Sequence, residues 1–309
     1  MSRGGMHVLR VFDPWRSPLC TCPFKYSLHP YTGCSHFCLY CYATSYIGRR
    51  PSTPKPDFTR RLERDLDKAR RGSVVELSSS SDPYPPLESW MGLTRRSLEI
   101  LGKHGFKILV TTKSNIVERD VDLLARYPSS VMITITTLDQ ELSRKLEPGA
   151  PPPDKRLDAV RRLSDKGIPV GVRLDPIIPF LNDDPAGIRA LIREIKEAGA
   201  LQVTVSTYKA KWDSLRRLMS AFPEISVKLR ELYVGKGEFI HGYMYLPRSY
   251  REALLKPAVE EALRSNLYVA TCREGLSADF MKAPSCDGSG LIRMHPSIVD
   301  VERRGETSG

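Results

Sequence analysis

No run of 18 apolar residues occurs in the 309-residue chain, which excludes a membrane-spanning helix of ordinary length. The opening stretch MSRGGMHVLRVFDPW lacks the apolar core of a secretory signal. No internal repeat recurs at a fixed period, so nothing suggests a repeat array. Histidine is scarce: of six, His29 and His36 flank one cysteine-rich stretch, and the other four stand alone, where surface or packing roles are usual. Seven cysteines, an odd number, cannot all pair in disulfides, and three of them cluster, which fits thiols kept reduced for metal. The expected location is the cytosol, with no membrane partner.

What is present is an ordinary globular composition, 41% hydrophobic and 27% charged, enough for one large α/β domain or two smaller ones. The formal net charge of +11 is uneven, since residues 1–72 hold 13 Lys and Arg against 5 Asp and Glu. Such a basic quarter suits an entry face for phosphates, as in nucleic-acid binding. A solvated basic surface with no partner is the alternative reading.

Along the chain, residues 1–23 read as an irregular arm with Pro14, Pro18 and Pro23. Lys25 to Leu28 suits a short first strand, and Asp57 suits the N-cap of a charged helix over Phe58 to Arg71 that Gly72 ends. Then strand and helix patterns alternate. Val74–Leu77, Lys107–Thr111, Val131–Thr136, Pro169–Leu174 and Leu201–Ser206 are apolar or β-branched runs suited to buried strands. Thr94–Lys103, Glu118–Arg126, Asp154–Lys166, Pro185–Ala198 and Lys209–Phe222 carry helical patterns between them. Six strands with intervening helices predict a parallel sheet with right-handed crossovers, a barrel or part of one, with catalytic groups at strand C-terminal ends. A third region runs from Phe239, with a helix over Ser249–Arg264 and a strand over Tyr268–Thr271. Gly305 to Gly309 reads as a frayed tail.

The densest chemistry lies in YTGCSHFCLYCY, Tyr31 to Tyr42, where Cys34, Cys38 and Cys41 follow a Cys-x3-Cys-x2-Cys spacing. Iron-sulfur cubanes usually take four thiolates, so three on one loop leave one iron open to another ligand. A structural zinc knot is the other reading, although zinc favours ligand pairs and His36 completes none.

This spacing, with Tyr40 before the third cysteine, resembles the signature of the radical S-adenosylmethionine (radical SAM) superfamily. Further segments, HPYTGC (29–34), SSSSDPYPPLE (78–88), VTTKSNIVERDVDLL (110–124), ITITTLD (133–139), LEPGAPPPDKRL (146–157) and GVRLDPIIPFLND (171–183), are similar to the group related to spore photoproduct lyase. The resemblance spans Pro23 to Cys286. It implies a partial (β/α)6 TIM-type barrel at 24–238, between the arm (1–23) and a C-terminal extension (239–309). It also implies a 4Fe-4S cluster on Cys34, Cys38 and Cys41 whose open iron holds S-adenosylmethionine. Reductive cleavage then yields a 5'-deoxyadenosyl radical that takes a hydrogen atom from substrate, in an enzyme of lyase or transferase type. The electron comes from a donor such as ferredoxin or flavodoxin.

The resemblance also implies residue roles. Ser80, Ser81 and Asp82 would hold the methionine ammonium, and Lys113 or Arg173 its carboxylate, Lys113 being the first choice. Thr136 would bond the ribose, with Tyr40 and Ile177 over the adenine; plain barrel packing is the alternative for Thr136 and Ile177. Tyr42 matches a tyrosine implicated in hydrogen-atom relay. One departure bears on activity: Ser79 stands where the lyase has a cysteine hydrogen donor, and a serine O–H is too strong to give a hydrogen atom to a carbon radical. Thymine-dimer repair therefore does not transfer with the resemblance. Nucleic acid is the expected substrate class, a peptide or small metabolite the runner-up, and a non-catalytic iron-sulfur or zinc protein that binds nucleic acid a third reading.

Cys20, Cys22, Cys272 and Cys286 remain, the number that a closed cluster or a zinc site requires. A disulfide between Cys20 and Cys22 would close a strained small ring. The expectation is an auxiliary 4Fe-4S cluster, with zinc, a Cys272–Cys286 disulfide or inert buried thiols as alternatives.

Overall fold

The computed structural model describes residues 5–12 and 17–298. Pro14 and the expected tail at Gly305 to Gly309 lie outside the described residues.

One eight-stranded sheet organises the chain, and its spatial order is its sequence order: β1 (Leu9–Val11), β2 (Tyr26–Leu28), β3 (Val74–Leu77), β4 (Lys107–Thr112), β5 (Ser129–Thr134), β6 (Val170–Ile177), β7 (Gln202–Thr207) and β8 (Tyr268–Thr271). β1 pairs antiparallel to β2, and every later pairing is parallel. Each parallel step needs a crossover, supplied largely by helices α1 (Phe58–Leu66), α2 (Leu93–Lys103), α3 (Val121–Arg126), α4 (Gln140–Leu146), α5 (Pro153–Asp165), α6 (Pro185–Glu197), α7 (Trp212–Ala221) and α8 (Arg248–Arg264). Strand residues such as Val75, Ile108, Val131, Val172 and Val203 are fully buried, packing with helix residues such as Leu98, Val160 and Ile192 in the main core. This is a mixed α/β fold with the open barrel that the strand count predicted.

The sheet crosses both expected domain boundaries. β1 lies in the arm, and its edge position is fixed by Asp65 of α1, whose Oδ2 accepts the backbone N–H groups of His7, Val8 and Leu9 at 2.8, 2.7 and 3.0 Å. β8 lies in the C-terminal region and pairs in register with β7, while α8 packs on α6 and β7. The following loop enters the barrel. Gln202 Nε2 and Thr204 Oγ1 on β7 donate to the carbonyls of Ser285 (2.9 Å) and Cys286 (2.8 Å), and Ser130 on β5 donates to Gly288 (3.0 Å).

Several boundaries differ from expectation. α1 stops at Leu66 rather than Arg71, the chain closing into turns through Lys68 and Ala69. Asp57 holds the N-cap position, but at φ 49 its side chain makes no cap hydrogen bond. The helix expected from Glu118 begins as a 3-10 turn over Asn115–Asp120, capped by Ser114 Oγ. α4 and an antiparallel hairpin, Glu238–Ile240 with Tyr243–Tyr245, were not anticipated. Among the described residues no helix is long and apolar enough to cross a membrane.

Candidate active site

The cysteine loop leaves the C-terminal end of β2 and is held from several sides. Gly33 turns the chain at φ +75, so close to the Pro51 carbonyl that a Cβ would stand 2.3 Å from its oxygen. Ser35 and Ser52 exchange hydrogen bonds, each backbone N–H donating to the other's hydroxyl at 3.0 and 2.9 Å. At the end of α4 the Leu146 carbonyl accepts from Leu39 N (2.8 Å), and in the loop after it Gly149 N donates to the His36 carbonyl (3.0 Å). Gly149 passes so near that a Cβ would stand 2.0 Å from the Ser35 oxygen. Arg217 on α7 donates to the carbonyls of Leu39 (3.1 Å) and Cys41 (2.8 Å), while Asp213 pairs with it at 3.0 Å.

Glu147 anchors the centre of the loop. It is buried, accepts the Tyr40 hydroxyl, and pairs with Arg156, itself 1% exposed, at 2.5 Å. Although burial works against its charge, Arg156 and Lys113 hold its carboxyl below the ordinary value. Lys113 Nζ stands 5.6 Å from the centre of the Tyr40 ring. Burial opposes that charge too, but Cys38 and Glu147 outweigh it and raise the lysine above its ordinary value.

The loop opens on a cavity of about 230 Å³ at the strand ends, which Cys34, Cys38 and Cys41 line together with Tyr40, Tyr42, Ser79, Ser80, Ser81, Asp82, Lys113 and Arg173. Asp82 is fixed there by Thr112 Oγ1, Lys113 N and Tyr84 N, at 2.7, 2.7 and 2.9 Å. His36 Nε2 lies 3.8 Å from Asp82. Ser79 shares a 3.3 Å hydrogen bond with His29, and Ser81 donates to the Tyr31 carbonyl at 3.5 Å. Tyr42 meets Tyr243 edge-on at 5.4 Å, with Arg273 5.1 Å from its ring.

Three expected residues have other contacts in the structure. Thr136 is buried and turns its hydroxyl to Glu147 (3.4 Å); Thr134, two residues earlier, reaches the cavity. Ile177 is fully buried in the main core, and Pro176 lines the cavity beside Asp175, where the pairing of β6 with β7 is interrupted. Arg173 is engaged by Asp175 at 2.5 Å and by the Cys272 thiol. Glu147, Arg156 and Arg217 were missed, because a charged residue on a predicted helix or loop reads as solvated unless its buried partner is known.

Burial pushes the Cys34 thiol up to about 11 and the Cys38 thiol well above its ordinary value. Such thiols ionise readily only against a bound cation. Three soft sulfurs on one loop match an iron-sulfur cluster with one open iron. Among the described residues no three His, Cys, Asp or Glu side chains meet the geometry of a single-ion site.

The Radical SAM superfamily model matches residues 28–192, more than half of the chain, from the cysteine loop through β6. The chain belongs to the radical SAM superfamily. Among relatives, an uncharacterized Mycobacterium tuberculosis protein is 31% identical over 89% of this radical SAM chain and 82% of its own length. The Radical SAM Nalpha-GlyT isomerase of Pseudomonas phage M6 is 26% identical over 66% of this chain and 45% of its own. Among solved structures, a spore photoproduct lyase variant superposes with a TM-score of 0.66 at 17% identity, over 86% of this chain and 79% of that one, a likeness of fold.

Proposed function

We propose that this radical SAM enzyme abstracts a hydrogen atom from a nucleic-acid substrate. The observation that carries the reading is the single cavity onto which three cysteines of one loop, Asp82 and Lys113 open at the ends of parallel strands. Cys34, Cys38 and Cys41 would hold a 4Fe-4S cluster, and S-adenosylmethionine would lie against Asp82 and Lys113. The chemistry the cluster supplies when bound is one-electron cleavage of S-adenosylmethionine and, with it, hydrogen-atom abstraction; a ferredoxin- or flavodoxin-type donor would provide the electron.

The protein's own contribution is positioning and charge. Asp82, its carboxylate oriented by three donors, offers an acceptor to an ammonium group, and Lys113 a cation to a carboxylate. Arg217, Glu147 and Gly149 keep the loop backbone from shifting. Tyr42, lining the cavity beside Tyr243 and Arg273, stands where it could relay a hydrogen atom. The four remaining cysteines would hold a second metal group, an auxiliary 4Fe-4S cluster or zinc.

Nucleic acid is supported by charge beside the cysteine loop. Arg49 and Arg50 are exposed just after the cysteine loop, and Arg49 donates to the Phe37 carbonyl at 3.2 Å. Among the described residues Arg10, Arg49, Arg50 and Lys55 make no ion pair. Burial and the neighbouring Arg10 bring Lys55 down to about 8, a site where an added anion would be welcome. Among similar structures is a spore photoproduct lyase with a dinucleoside spore photoproduct, which supports the same class. The test is deuterium transfer: reduced, cluster-loaded protein with S-adenosylmethionine and deuterated oligonucleotide should yield labelled 5'-deoxyadenosine. Label arriving from a peptide or metabolite pool instead would replace the substrate class.

A further inference from the structure

The second cysteine set brings three distant segments to one place. Cys22 Sγ and Cys286 Sγ are 3.6 Å apart although 264 residues separate them in sequence. Cys20 lies beside Cys22 and Cys272 beside Cys286, so the four free thiols gather in one place. Thr21 Oγ1 donates toward Cys286 Sγ at 3.8 Å. All four line the cavity onto which Cys34, Cys38 and Cys41 also open.

Around the sulfurs the protein supplies countercharge. Lys25, 1% exposed, lies beside Cys22 and is bound by Glu76 at 2.9 Å and by Asp287, the residue after Cys286. Arg173 reaches Cys272 from β6. Four thiols that each surrender a proton on ligation present a strongly negative centre, and two buried cations offset part of it.

We infer that these four cysteines form a metal clasp: a thiophilic centre, bound by sulfur alone, that docks the N-terminal arm as one wall of the reaction cavity. This deepens the second-metal reading proposed above. Two ligands come from the arm, and Phe12, Cys20 and Cys22 are part of the cavity lining. Cys272 and Cys286 come from segments fixed to the sheet, by β8 pairing and by the bonds of β7 to the Cys286 loop. Metal therefore binds the docked arm and not the undocked one, and the two equilibria are linked. With every ligand position taken by a cysteine, the clasp offers no open coordination site, unlike the three-cysteine loop.

The test uses the full-length chain with Cys34→Ala, Cys38→Ala and Cys41→Ala, which leaves only the second site. Cobalt(II) is added in one arm, and ferrous iron with sulfide in another, both without oxygen. Four irons per chain mark a cluster clasp, and one cobalt per chain with thiolate charge-transfer absorption marks a single-ion clasp, for which the thiols must shift from the positions they hold here; either supports the site. Amide hydrogen exchange at Leu19 to Cys22 should slow about 100-fold when metal is present at about 100 times its Kd. Adding Cys20→Ser and Cys22→Ser, in a variant whose circular dichroism is unchanged, should abolish both metal uptake and that slowing. Metal bound with arm exchange unaffected would overturn the clasp while leaving the second-metal reading standing. No metal in either arm would overturn both, without touching the assignment of the first site, which this variant lacks.

Discussion

Arg217 lies across the back of the cysteine loop and donates from Nη2 to the Cys41 carbonyl at 2.8 Å, 176 residues apart in sequence. The same guanidinium reaches Leu39 O and Thr44 Oγ1 at 3.1 and 2.9 Å, so α7 sets the path of the loop across its last two cysteine-proximal turns. Replacing it with Met removes charge-assisted bonds together worth on the order of 2 kcal/mol while keeping much of the side-chain volume. An Arg217→Met protein should fold, take up iron, and lose it faster to a chelator than the parent. Chelation kinetics followed at the cluster absorption band check this; unchanged iron loss would show that the loop does not depend on α7.

Glu147 and Arg156 form a buried pair beneath Tyr40. Glu147→Gln leaves the Arg156 charge uncompensated and should cost about 3–5 kcal/mol by denaturant unfolding, with Arg156→Met in the same chain restoring most of it. Equal destabilisation in the single and double variants would mean that the pair is not what supports the loop.

How much of this was legible in sequence follows from which forces act locally. The parallel strands could be read because each is an apolar run buried on both faces, and the cysteine loop because its ligand chemistry sits within one short stretch. Leu9–Val11 was not readable as a strand: three residues with mixed exposure become one only by pairing with β2 and hanging from Asp65. Thr136 and Ile177 were expected at the cofactor, with barrel packing as the alternative; Thr136 lies two residues past the end of β5 and turns to Glu147, Ile177 packs in the core, and Thr134 and Pro176 line the cavity. Glu147 was invisible because it is a charge whose meaning depends on Tyr40, 107 residues away, and on an arginine buried beside it.

His29 is held down to about 4, chiefly by burial and then by Lys55 and Arg10, against 6.5 in the unfolded chain. Above pH 6.5 neither state binds its proton, and between about 4 and 6.5 only the unfolded chain does. Stability from this group is therefore full above 6.5 and lost as pH falls toward 4, on the order of 3 kcal/mol. Metal-free protein unfolded in urea at a series of pH values should show the loss, and His29→Gln should flatten it; parallel profiles would assign the pH dependence elsewhere.

If charge beside the cysteine loop draws nucleic acid, affinity for a short oligonucleotide should fall steeply as salt rises from about 50 to 200 mM, with a linear log–log slope. Arg49→Ala with Arg50→Ala should make that slope shallower. Binding that ignores salt would point away from phosphate contacts.

The central claim is that the Cys34, Cys38 and Cys41 loop makes this chain a radical SAM enzyme. Its most direct test is 5'-deoxyadenosine formation when protein reconstituted anaerobically with iron and sulfide meets dithionite and S-adenosylmethionine. The account predicts the product from the parent protein and none from folded Cys34→Ala, Cys38→Ala or Cys41→Ala variants. Cleavage that survives loss of any one of these cysteines, or no cleavage by fully cluster-loaded parent protein, would contradict it.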